Sequence, residues 1–190
     1  VNTLPVTLHN PQILLIGGGS VALRKAQVLT ANAIAFNVVA REVMPQFEQL
    51  RCRIYRRSFA SADLDGIGIV VDASGSAEVA ALLRREKQRR FLLVNNAASA
   101  AECDFYFSSL LCCGKLKVAV SSAGSSPVIT QAVRDAVAVL LPDELADISD
   151  TALQRRLQGV INGNIERKRV LLALRRHVEE QLRLLDAREA

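Results

Sequence analysis

Tryptophan is absent from this 190-residue chain, and two tyrosines and six phenylalanines are its only aromatic residues. That scarcity leaves no platform on which successive bases would stack, so the net charge of +5 does not read as nucleic-acid binding. Histidine is nearly missing as well. His9 and His177 stand far apart, and no pair of carboxylates stands at ligand spacing in the first half, so no metal centre is expected. The four cysteines, Cys52, Cys103, Cys112 and Cys113, form no C-x-x-C pair and are expected as reduced, mostly buried thiols. No serine or cysteine nucleophile stands with a recognisable base partner. No apolar run approaches the roughly 20 residues of a membrane-spanning helix. The stretch Val1 to Pro11 lacks the basic-then-apolar order of a signal peptide. A cytoplasmic protein with no membrane partner is the expectation.

What the chain does have is a core and a glycine turn. Half of its residues are hydrophobic. The apolar run Ile13-Leu14-Leu15-Ile16 breaks into Gly17-Gly18-Gly19, and Ser20-Val21-Ala22 opens a helical pattern at once. A strand turning tightly into a helix offers backbone N–H groups and the positive end of the helix dipole to an anion. The spacing Gly17-x-Gly19-x-x-Ala22 fits the dinucleotide fingerprint. Gly17 would allow the turn, Gly19 the close approach of a pyrophosphate, and Ala22 the packing of helix on strand.

Short apolar runs then alternate with helical patterns. Strands are expected at Ile13–Ile16, Phe36–Val39, Arg53–Tyr55, Ile67–Val71 and Phe91–Val94, the last two buried. Helices are expected over 21–31 and over 77–89, where Val79, Leu82 and Leu83 share one face. The alternation predicts an α/β fold, a Rossmann-like parallel sheet with helices on both faces. The pattern changes after about residue 107. Leu116–Val120 reads as a strand and 121–127 as a small polar loop. Ser126 and Pro127 open a helix carrying Ile129, Ala132, Val133, Ala136, Val137 and Leu140, and Pro142 stops it. Beyond Asp143 the chain is charged and helical, with a break at Asn162-Gly163-Asn164. A stripe of Leu171, Leu174, Val178, Leu182 and Leu185 reads as a core or partner-helix face.

Two blocks together carry a family resemblance: Gly17-Gly18-Gly19-Ser20-Val21-Ala22 with Arg24-Lys25-Ala26, and Val118-Ala119-Val120-Ser121-Ser122-Ala123-Gly124-Ser125-Ser126-Pro127-Val128. Leu4-Pro5-Val6 precedes the first block, and Cys103-Asp104-Phe105-Tyr106-Phe107 lies between the two. In this order the chain resembles the precorrin-2 dehydrogenase/sirohydrochlorin ferrochelatase family, the N-terminal module of siroheme synthase. The resemblance implies an NAD-binding Rossmann domain over 1–107, a dimerisation segment over 108–141 and a small helical tetrapyrrole-side domain over 142–190. It implies NAD-dependent oxidation of precorrin-2 to sirohydrochlorin, a homodimer, and in some members insertion of Fe²⁺ to give siroheme.

Site residues follow by position. Gly17, Gly18, Gly19, Ser20 and Val21 match the pyrophosphate turn, and Ser74 lies near the nucleotide crevice. Arg41 and Glu42 stand where the family meets the adenosine ribose. Glu42 could bond the ribose hydroxyls, or Arg41 could accept a 2′-phosphate, and the family favours NAD. Ser122, Gly124, Ser125 and Arg134 match the tetrapyrrole cleft. Arg155, Arg156, Arg167, Lys168 and Arg169 are further candidates for the substrate's carboxylates. The chain departs from the family at Ala98, which occupies the place of an aspartate, and Asp104 is the nearest replacement. A methyl group accepts no proton and holds no metal ion, so if that aspartate is the base, the resemblance implies a dehydrogenase whose chemistry is impaired or relocated. The alternative is a non-catalytic nucleotide- or tetrapyrrole-binding sensor or carrier.

Overall fold

The computed structural model describes residues 8–114 and 116–141, together with Leu172, Arg175, Arg176 and Glu179, which are helical. Leu4-Pro5-Val6, the stop at Pro142, the break at 162–164 and the apolar stripe of 171–185 lie outside the described residues. So do His177 and the basic candidates Arg155, Arg156, Arg167, Lys168 and Arg169.

The chain divides into two compact units that meet between Tyr106 and Phe107. The first is a five-stranded parallel sheet in the order β3-β2-β1-β4-β5. Its strands are β1 (Ile13–Ile16), β2 (Asn37–Ala40), β3 (Arg53–Arg56), β4 (Ile69–Asp72) and β5 (Leu93–Asn96). Helix α1 (Ser20–Ala31) joins β1 to β2, and α2 (Ala77–Lys87) joins β4 to β5. The chain moves outward from β1 in one direction and from β4 in the other. Right-handed crossovers therefore put α1 and α2 on opposite faces of the sheet. This is the Rossmann-like arrangement the alternating pattern predicts.

Burial explains why these segments are strands. Every residue of β1 is buried, as a central parallel strand covered on both faces requires. Val38, Val39, Val70 and Val71 are fully buried beside it. One core layer joins Leu14, Ile16, Val39, Val70 and Val94 to Leu83 of α2 and Leu64 of a 3₁₀ segment, with Val79 packed against it. The interval between β2 and β3 is also 3₁₀, over Pro45–Gln49, with Phe47 fully buried. Helix α2 begins at Ser76, whose hydroxyl accepts from the Val79 amide at 3.3 Å, and carries Arg84, Arg85 and Lys87 in its last turn.

Two expectations need correcting. The last strand of the sheet starts at Leu93 instead of Phe91, and Phe91 is 80% exposed. Its true C-terminal half is polar, because Asn95 and Asn96 satisfy their amides on the loop that follows. The cysteines are free thiols but not mostly buried. Cys112 is exposed, and Cys52, Cys103 and Cys113 are only partly covered.

The second unit contains an antiparallel hairpin of β6 (Ser109–Cys113) and β7 (Leu116–Val120), on which α3 (Pro127–Leu140) packs. Ser126 caps α3, its hydroxyl accepting from the Ile129 amide at 3.3 Å, and Pro127 occupies the first turn. β6 has no counterpart among the expected strands. Helix α3 leaves Val128, Ile129, Val133 and Val139 exposed.

Candidate functional site

The glycine turn sits at the C-terminal edge of the sheet, locked between its neighbours. The Gly17 amide donates to the Val39 carbonyl of β2 at 3.0 Å, and the Ala73 amide beyond β4 donates to the Ile16 carbonyl at 2.8 Å. Gly17 has φ +114°, and a Cβ there would lie 2.6 Å from the Ala73 carbonyl oxygen. Gly18 is constrained by space: a Cβ would lie 2.0 Å from the Glu42 carbonyl oxygen. Its own carbonyl accepts from the Met44 amide at 2.9 Å. The chain after β2 is thus sealed against the turn by backbone alone.

Gly19 is the opposite case. It is exposed, and a Cβ built on it meets nothing within 4 Å. It is the N-cap of α1, with no side-chain capping bond and no acidic residue in the first turn. The first amides of α1 therefore have no side-chain capping partner, on an exposed turn with the positive end of the dipole behind them. That arrangement fits a dinucleotide pyrophosphate. Ser20 and Val21 are exposed on the same first turn.

The remaining nucleotide-side candidates flank this turn. Arg41 and Glu42 are exposed directly after β2. The Arg41 Nε donates to the Ser58 hydroxyl at 2.9 Å, which anchors the guanidinium beside the end of β3. Ser74 lies on the other side, after β4. Its hydroxyl donates to Asp72 Oδ1 at 2.6 Å and its amide to the same oxygen at 3.0 Å. The Ser74 hydroxyl also accepts from the Ser76 amide at 3.1 Å. Asp72, the last residue of β4 and only 2% exposed, has no place in the sequence reading. The expected strand ends at Val71, and a lone acid after an apolar run looks like the start of a loop.

The loop after β5 holds Ala98, which the resemblance sets in the place of an aspartate. Ala98 is exposed, and its amide donates to the buried Asn96 Oδ1 at 2.8 Å. Asp104 is engaged through both oxygens, with Lys87 at 2.6 Å and with the Val94 amide at 2.9 Å. Glu102 accepts from Arg84 at 2.5 Å and from Asn96 Nδ2 at 2.8 Å. These carboxylates clamp the loop to α2 and β5. Together with Ala80, Leu83, Cys103 and Val94 they line a cavity of about 200 Å³. Cys103 Sγ receives the Asn96 amide at 3.2 Å. Burial lowers the pKa of the Lys25 ammonium on α1, and the Cys103 sulfur acts against that shift.

In the second unit the serine loop is internally bonded. The Ser122 hydroxyl accepts from the Ser126 amide at 2.9 Å and lies 3.2 Å from the Ser126 carbonyl. The Ser125 hydroxyl donates to the Ser122 carbonyl, and Gly124 has φ +84°. Arg134 bonds Asp135 at 2.6 and 2.9 Å. Among the described residues, no group of three or more His, Cys, Asp or Glu could hold a metal ion.

Residues 4–109 match the family model NAD_binding_7, described as "Putative NAD(P)-binding". The chain belongs to that family. The match covers all five strands of the sheet and the glycine turn. Similar curated proteins bear out the resemblance carried by the two sequence blocks. Siroheme synthase 2 of Aeromonas salmonicida (strain A449) is 32% identical over 166 residues, covering 85% of this chain and 35% of that protein. Siroheme synthase of Pseudomonas fluorescens (strain Pf0-1) is 30% identical over 157 residues, covering 80% and 33% respectively. The chain therefore spans about a third of the length of these relatives. Among solved structures, "SirC, precorrin-2 dehydrogenase" matches 98% of this chain and 100% of its own, with a TM-score of 0.65 at 21% identity, a likeness of fold.

Proposed function

We propose that this chain is the NAD-binding portion of an enzyme of siroheme synthesis, and that it takes part in the oxidation of precorrin-2 to sirohydrochlorin. The observation that carries the reading is the uncapped N-terminus of α1 behind the open Gly19, on a chain whose relatives are siroheme synthases. NAD⁺, when bound, supplies the acceptor for the hydride that leaves the tetrapyrrole. The chain's own residues do the rest. The amides of Ser20 and Val21 bind the pyrophosphate, Gly17 and Gly18 hold the turn in register with β2 and β4, and Glu42 or Arg41 meets the adenosine ribose. Ser122, Gly124, Ser125 and Arg134 are the proposed tetrapyrrole contacts.

Oxidation also releases a proton, and the protein offers no free carboxylate for it in the loop after β5. Ala98 carries a methyl group, and Asp104 and Glu102 are held by Lys87, Arg84 and backbone or amide donors. The proton then passes to water, and turnover is slow. This same observation favours a second reading, a non-catalytic binder of nucleotide or tetrapyrrole. In the first reading, Fe²⁺ is the substrate of a following insertion step. The exposed apolar side of α3 suits a homodimer.

The separating experiment gives the protein precorrin-2 and NAD⁺ and follows the NADH absorbance band. Slow, saturable growth supports the dehydrogenase. Binding of NAD⁺ with no turnover supports the sensor or carrier. Consumption of Fe²⁺ and sirohydrochlorin without NAD⁺ reports the chelatase step.

A further inference from the structure

A buried acid ends β4 beside the glycine turn. Asp72 follows Ile69-Val70-Val71 in a strand whose last three residues are buried, and it is itself 2% exposed. Placing a carboxylate there costs solvation that an apolar or amide side chain would not lose. Its carboxylate accepts from the amide and the hydroxyl of Ser74, both on Oδ1. An asparagine oxygen would accept those two bonds equally well. Among the described residues no lysine or arginine forms an ion pair with it. Local hydrogen bonding therefore accounts for an oxygen at this position but not for a negative charge.

The topology says where that charge acts. In the order β3-β2-β1-β4-β5 the chain reverses direction between β1 and β4, and dinucleotides lie across the carboxyl ends of the strands at such a point. The glycine turn ends β1. Arg41 and Glu42, on the adenosine side, end β2. Asp72 ends β4, on the side left for the nicotinamide. Its backbone pairs with both neighbours, Ile16 of β1 and Asn96 of β5. The hydrogen-bonded chain Asp72–Ser74–Ser76 ties the carboxylate to the capped start of α2 and holds it at this edge.

We propose that Asp72 makes the site select the oxidised, cationic nicotinamide over the reduced, neutral one; this rests on the reading that NAD occupies the glycine turn. The two redox forms share one adenosine and one pyrophosphate, so any repulsion between Asp72 and the phosphates cancels in their ratio. Only the ring differs, by one positive charge. By Coulomb's law at an effective dielectric of about 20, an unpaired unit charge within about 12 Å of another is worth roughly tenfold or more, which sets the scale of the expected preference. Such a site holds the hydride acceptor and releases the reduced product, which is the direction a dehydrogenase needs.

The test is a titration of NAD⁺ and of NADH into the wild-type protein, Asp72→Asn and Ser74→Ala, read as dissociation constants and needing no turnover. The wild type is expected to bind NAD⁺ more tightly than NADH. Asp72→Asn is expected to lower the ratio of the NADH constant to the NAD⁺ constant by about tenfold. Ser74→Ala keeps the carboxylate and its bond from the residue-74 backbone amide, so it is expected to leave that ratio near the wild-type value even where both affinities fall. An unchanged ratio in Asp72→Asn overturns the proposal. Should that variant fail to fold, the wild-type ratio decides, and tighter binding of NADH overturns it. Wild-type protein that binds neither form sinks the dinucleotide reading itself, a distinct result.

Discussion

The proposed dehydrogenase turns on position 98, where the chain carries a methyl group. Ala98 sits in the loop after β5, its amide fixed by Asn96, with no carboxylate of its own. The neighbouring acids are committed to Lys87, Arg84 and the Val94 amide. A positioned carboxylate base contributes about 10²–10⁴ in rate. Ala98→Asp is therefore expected to raise turnover of precorrin-2 by about that factor with little change in NAD⁺ affinity. Added formate should speed the wild type, by filling the vacant position with a small carboxylate, and should do less for Ala98→Asp. Equal response of both proteins to formate, or no gain from the aspartate, would remove residue 98 from the proton path. The resemblance singles out position 98 from sequence alone, because it sets an alanine against an aspartate. The engagement of Asp104 was not legible there, because its partners lie 10 and 17 residues away along the chain.

At the scale of elements, the loops that join strands carry more of the order than their composition suggests. The turn after β3 is held by Asp63, which accepts from the Arg57 guanidinium and, at 2.8 Å, from the Ala60 amide. The Arg57 hydrogen bond holds the Asp63 carboxyl below the ordinary carboxylate range, opposed by partial burial and helped by the Ala60 amide. A carboxyl with a lower pKa folded than unfolded stabilises the fold above the unfolded value, roughly pH 4. That contribution is lost as pH falls through the folded value. Urea midpoints followed from neutral to acid pH should therefore drop more steeply for the wild type than for Asp63→Asn. Parallel curves would show that Asp63 contributes nothing to the acid limb.

Strand positions were legible to within about two residues, because buried parallel strands read as apolar runs. The shifts fall where the runs end. Asp72, Asn95 and Asn96 belong to the sheet by backbone pairing, yet carry polar side chains that serve the loops beyond. β6 was hidden for another reason: all its residues are at least partly exposed, and its Ser109-Leu110-Leu111-Cys112-Cys113 shows no clean alternation. Glu86 was equally hidden. It is 2% exposed on a charged stretch of α2, where Arg90 Nε approaches its carboxylate at 3.0 Å.

For the whole molecule, the exposed face of α3 bears on association. Helix α3 packs on the hairpin by one side and exposes Val128, Ile129 and Val133, apolar residues that cost free energy when left in water. Sedimentation is expected to show a homodimer, and Ile129→Asp with Val133→Asp is expected to return it to monomer while β-sheet circular dichroism persists. A wild-type monomer at micromolar concentration would contradict that assignment. Among the described residues no helix is long and apolar enough to cross a membrane.

Dinucleotide binding rests on the grip of the first β-to-α crossing on two phosphates. Isothermal titration of NAD⁺ into the wild-type protein and into Gly19→Val tests it most directly, because Gly19 has open space around it and its replacement spares the packing. The predicted result is one saturable site per chain in the wild type, weakened at least tenfold in Gly19→Val, which loses a favourable N-cap but still unfolds cooperatively. Absence of any heat with NAD⁺ or NADP⁺, or equal binding by both proteins, would contradict it.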